Sequence, residues 1–161
     1  MDENKKSECA EGRATTPASM TLGEAEAIIA GALERAAEMD LGPLTVAVLD
    51  PAGKLVALKR QDRSSLLRPD IAQAKAYGAL AMGMGSRGLA VRAQGHPAFV
   101  ASITALAGGM LVPVPGGVLC YDGLSVVGAV GVSGALPDED EECALAGIGR
   151  TRLEGETGSR H

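Results

Sequence analysis

Residues 126–134, "VVGAVGVSG", constrain the fold more than any other stretch of this chain. Gly128, Gly131 and Gly134 punctuate an apolar run that leads into "ALPDEDEECALAG". A dinucleotide-binding loop needs G-x-G-x-x-G between a strand and a helix. Here the spacing is G-x-x-G-x-x-G, and Gly128 and Gly131 lie inside the apolar run. The next segment carries Asp138, Glu139, Asp140, Glu141 and Glu142, which would repel a phosphate at that helix start. They suit the positive end of the helix's own dipole instead. No Walker-type lysine accompanies the glycines, and Ser133 lacks a G-x-S-x-G elbow with a His–Asp relay. The stretch therefore reads as a buried strand. Its glycines admit a closely approaching body: a helix, a second subunit or a flat ligand.

The rest of the chain supplies a sheet for that strand and helices to cover it. "TLGEAEAIIAGALERAAEMD" predicts a helix opened by a Thr21–Glu24 capping box, with Ile28, Ile29, Ala32, Leu33 and Ala36 as its apolar stripe. "LTVAVLD", "PAG" and "KLVALKR" predict a β-hairpin over residues 44–60. "DIAQAKAYGALAMGM" predicts an Ala-rich helix and "SRGLAVRA" a short one, while "QGHPAFVASITALAGG" is open between irregular structure and helix. "MLVPV", "GVLCY" and "LSVVGAVGVSG" predict three strands, and "PDEDEECALAG" a closing helix. Most strand connections are too short for parallel crossovers, so the sheet is expected to be antiparallel with helices on its apolar faces.

Length allows one domain: 161 residues, with residues 1–19 a polar disordered leader, 20–149 the folded domain and 150–161 a polar tail. The body is neutral, since residues 21–137 hold nine acids and nine bases and the excess of the −5 net charge sits at the ends. With only Tyr77, Phe99 and Tyr121 as aromatics, the chain offers neither the basic surface nor the stacking groups that nucleic acid requires. No apolar run approaches the roughly 20 residues that span a bilayer. The N-terminus lacks the apolar core of a secretory signal. Cys9, Cys120 and Cys143 have no metal-type spacing, and their odd number suits free thiols. A cytoplasmic protein is expected.

The order of motifs resembles the GlcG/HbpS-like family, related to the C-terminal domain of PduO-type proteins. The matching pieces are "VAVLDPAGKLVALKRQD", "DIAQAKAYGAL" and "VPVPGGVLCYDGLSVVGAVGVSGALPDEDEECALAGI". The resemblance implies an α/β (α+β), profilin-like three-layer α/β/α fold with a five-stranded antiparallel sheet. It also implies a homo-oligomer that binds a small molecule or cofactor, with haem or a corrinoid as the candidates. The region "GMGSRGLAVRAQGHPAFVASITALAGGM" departs from the family's common pattern, so no ligand residue carries over there.

Candidate site residues are few. His96, the only histidine besides His161, could ligate haem iron, act as a general base, or be a hydrogen-bonded or capping loop residue. Lys75 could bind a carboxylate or propionate, or lie on a solvated helix face. Arg60 could hold an anion or pair with Asp62. Asp70 and Asp140 suit helix first turns, with a ligand role as the alternative. Tyr121 could bring its phenol to a bound ligand or be ordinary strand packing, and Gly131 and Ser133 could line a ligand pocket. Cys120, Met82 and Met84 read as core, with an axial haem ligand the lesser reading of the methionines. A second class of function fits the same residues: a cofactor-independent isomerase, lyase or hydrolase for a small hydroxy acid or aldehyde, with Arg60 or Lys75 holding the anion and His96 moving a proton.

Overall fold

The computed structural model describes residues 18–159. The leader apart from its last two residues, with Cys9, and the terminal His161 lie outside the described residues. Helix α1 (Leu22–Glu38) starts at the expected capping box: Thr21 Oγ1 accepts from Glu24 N at 3.2 Å, and Glu24 Oε2 accepts from Thr21 N at 3.0 Å. Strands β1 (Thr45–Leu49) and β2 (Leu55–Arg60) form the expected hairpin. Three helices follow: α2 (Arg68–Met82), α3 (Ser86–Gly95) and α4 (Pro97–Leu106), which resolves the ambiguity over residues 94–109 in favour of helix. Strands β3 (Gly117–Asp122) and β4 (Ser125–Ser133), helix α5 (Pro137–Ile148) and strand β5 (Glu154–Glu156) complete the chain.

The sheet has five strands in the order β2-β1-β4-β3-β5, all antiparallel. Helices α1 and α5 pack on one face over Val46, Val48, Val118, Val130 and Val132. Helix α2 packs on the other over Leu49, Leu119 and Ala129. Successive strand residues point to opposite faces, so this alternation divides one apolar strand set between two helical layers. The result is the expected three-layer arrangement.

The membership of the sheet differs from expectation in one strand. Residues 110–114, "MLVPV", are not a strand; the fifth strand is β5, which pairs with β3 from within residues 150–159. Pro113 and Pro115 lack the N–H groups a ladder needs. Leu111 instead turns inward onto Leu89 and Val100.

The strand glycines admit a helix. A Cβ on Gly131 would collide with the carbonyl oxygen of Ala72, and one on its cross-strand partner Gly117 would collide with that of Lys75. Helix α2 thus lies with its backbone directly on two adjacent strands. Of the three approaching bodies the sequence left open, a helix is the one found at Gly131.

Candidate functional site

Direct seating of α2 fixes where Lys75 ends. The residue is 2% exposed, and its side chain crosses to Asp140 of α5, with Nζ 2.8 Å from Oδ2. Nζ also donates to the carbonyl of Val132 at 2.9 Å, and Asp140 Oδ1 accepts from Ala135 N at 2.9 Å. Burial lowers the Lys75 pKa and raises that of Asp140, each opposed by the charge of the other. Neither sequence reading of Lys75 holds: it is not on a solvated face, and its ammonium is committed to an internal ion pair. Asp140 does sit in the first turn of α5, as expected, but its carboxylate turns inward.

Ser133 is buried and accepts from Arg68 Nη1 at 3.2 Å. Arg60 does not pair with Asp62; its guanidinium donates from Nε and Nη2 to the carbonyl of Ser64. Ser64 Oγ in turn lies 3.1 Å from Thr45 Oγ1. Asp70 is exposed in the first turn of α2. Tyr121 is half-buried against the α2 side of the sheet, which is strand packing. Cys120 and Cys143 are buried, and burial pushes their thiols up to about 12 and about 11, so both are poor nucleophiles.

A cleft with a mixed polar and apolar lining lies elsewhere. It occupies about 710 Å³ between α3 and residues 156–159, within the size range of small-molecule sites. Met84, Gly88, Val91 and Gly95 supply apolar and open wall; Arg87, Arg92, His96 and Glu156 supply polar groups. Arg92 and His96 stand four residues apart, one turn along the helix, and His96 N bonds the Arg92 carbonyl at 2.8 Å. His96 marks the junction of α3 and α4, is exposed, and its side chain caps neither helix. Arg87 is clamped by α5, with Nε 2.9 Å from Glu141 Oε1 and Nη2 2.6 Å from Asp138 Oδ1. Arg92 makes no ion pair among the described residues.

His96 is therefore the one expected site residue that lines this cleft, and Met84, read as core, joins it. Arg60 lines a separate, shallow depression with Pro43 and Asp62, and Lys75 lines neither. Arg87, Arg92 and Glu156 went unnoticed in the sequence, and Glu141 was read only as a partner of the helix dipole. The spacing of Gly88, Arg92 and His96 at every fourth residue was the available signal for the first shared face.

An antiparallel five-stranded sheet between helical layers, with a cleft at one edge, defines the class. The sequence profile described as "Haem degrading protein HbpS-like" matches residues 20–149, and the chain belongs to that family. The fold is shared with the PduOC–haem complex (TM-score 0.77, 21% identity, 84% of this chain and 97% of that one). It is likewise shared with Klebsiella pneumoniae ORFY (TM-score 0.77, 22% identity, 86% and 94%). A double mutant of Streptomyces reticuli HbpS is similar at TM-score 0.73 and 27% identity, over 86% and 90%. No curated protein sequence matches the chain. Among the described residues no helix is long and apolar enough to cross a membrane.

Proposed function

We propose that this chain is a cofactor-binding protein that takes haem, or a related tetrapyrrole such as a corrinoid, in the α3 cleft. One observation carries the reading: the cleft sets an exposed imidazole and an uncommitted guanidinium one helical turn apart beside apolar wall. The membership of the family and the haem in a relative of the same fold support it.

The donor set fits the group. His96 would supply a nitrogen to the iron, and haem so held can exchange electrons or bind a further small ligand at its free face. Arg92 would hold a propionate by charge-assisted hydrogen bonds, for which a guanidinium fork is suited. Met84 and Val91 would cover part of the macrocycle and exclude water from one side. Gly95 leaves room beside it for a flat ring, since a Cβ there would meet nothing within 4 Å, whereas Gly88 is already closed over by Gly158 and Met84.

The outward surface of α4 supports the expected homo-oligomer. Phe99 is 47% exposed and Leu106 87% exposed, and residues 93–121 carry no acidic or basic side chain other than His96. The enzyme alternative gains no such support, because Arg60, Lys75 and His96 do not share a cavity.

Titration with haemin, followed by absorption from about 300 to 700 nm, tests the proposal. The parent is expected to give a sharp, saturable Soret shift, and His96→Ala to weaken binding by at least about tenfold, the equivalent of one lost ligand bond of roughly 1.4 kcal/mol. Equal binding by both proteins would remove His96 from the iron. Arg92→Gln is expected to keep the band position and lose affinity only.

A further inference from the structure

Arg87 is a single guanidinium among three carboxylates. Asp138 and Glu141 of α5 bond it directly, and Glu156 of β5 shares the cleft wall with it. Glu156 is itself held in place, its Oε2 accepting from Gly85 N at 2.8 Å. Lys75 of α2, the buried cation among the described residues, is committed to Asp140 and the Val132 carbonyl. Glu141 is 7% exposed, and its Oε2 is buried without a hydrogen-bond partner among the described residues. A buried carboxylate oxygen in that position forfeits its hydration with nothing in return. A proton on Oε2 would remove the buried negative charge and leave the bond from Arg87 to Oε1 intact.

We infer that anion binding in the cleft is coupled to proton uptake by Glu141. The inference rests on the proposed cofactor reading and names a determinant of its affinity. A ligand carboxylate that reaches Arg87 is the fourth negative group around one positive one. The least costly relief is to neutralise the member that is most desolvated and already lacks a donor. Solvent supplies the proton, and Glu141 becomes the uncharged acid as the ligand carboxylate takes its share of Arg87. Burial holds the Glu141 carboxyl above its ordinary value, with the charges of Asp138 and Glu156 acting in the same direction and Arg87 opposing.

The test is calorimetric titration of haemin, repeated from weakly acid to weakly alkaline conditions in two buffers of different ionisation enthalpy, beside Glu141→Gln. The parent is expected to take up a fraction of a proton per haemin. Glu141→Gln, neutral and of the same shape, is expected to bind on the order of tenfold tighter and to take up none. Asp138→Asn provides a second arm if Glu141→Gln does not fold. Asp138 is largely exposed, and its removal is expected to reduce the uptake. Haemin binding with no uptake, or uptake unchanged in both variants, overturns this inference and leaves the cofactor reading standing. Absence of saturable binding to the parent overturns the cofactor reading, and the inference with it.

Discussion

Lys75→Met is expected to destabilise the protein by about 3–5 kcal/mol, the usual cost of removing one partner from a buried ion pair. For a domain of this size that corresponds to a fall in Tm on the order of 10 °C. The reasoning starts from burial: Lys75 and Asp140 are 2% and 1% exposed, so neither charge has water to fall back on. Methionine fills much the same volume but cannot donate. The carboxylate of Asp140 would keep only the Ala135 N–H, and the Val132 carbonyl would lose its ammonium donor. Lys75→Met/Asp140→Leu is expected to recover most of the loss, because an apolar pair of similar volume removes the desolvation cost of both charges. Thermal unfolding followed by circular dichroism checks both. A single mutant as stable as the parent would mean that the pair is not what ties α2 to α5 and β4.

The second large effect is expected at Gly131. Gly131→Ala would place a methyl inside the carbonyl oxygen of Ala72, and the obstacle is backbone, which cannot rotate away. Helix α2 would have to lift from the sheet, loosening Ala76, Ala79 and Leu119 together. Overpacking of this kind costs typically 1–3 kcal/mol and more where the neighbour cannot yield, so about 3 kcal/mol is expected. Gly23→Ala is the control. It lies in α1 with nothing within 4 Å of the added methyl, and a helical Gly→Ala change there should stabilise by roughly 0.5–1 kcal/mol. Chemical denaturation of the three proteins would decide the matter, and a Gly131→Ala protein as stable as the parent would refute the close seating of α2.

What the sequence made legible follows the range of the interactions concerned. The Thr21–Glu24 box, the hairpin over residues 44–60 and the strand carrying Gly128 and Gly131 are local patterns, and each is found where expected. β5 was missed because "EGE" has no apolar alternation and pairs only three residues, its place being set by β3 rather than by its own composition. "MLVPV" misled in the opposite sense: its residues are apolar enough for a strand, but Pro113, with Pro115 just after it, has no N–H for a ladder. The Lys75–Asp140 bond joins residues 65 positions apart, and nothing in either neighbourhood announces it. The cleft was half visible. His96 stood out as a lone imidazole, whereas Arg87 and Arg92 became notable only once Asp138 and Glu141 were seen to occupy one and leave the other.

The same contrast locates the central claim, that a tetrapyrrole binds between α3 and residues 156–159 with its metal at His96. A crystal structure of the protein with bound haemin tests it most directly. The expected result is one macrocycle in that cleft, an iron–nitrogen bond to His96 and a propionate on Arg92. Haemin found instead beside Arg60, or held at a contact between copies without His96, would contradict the account.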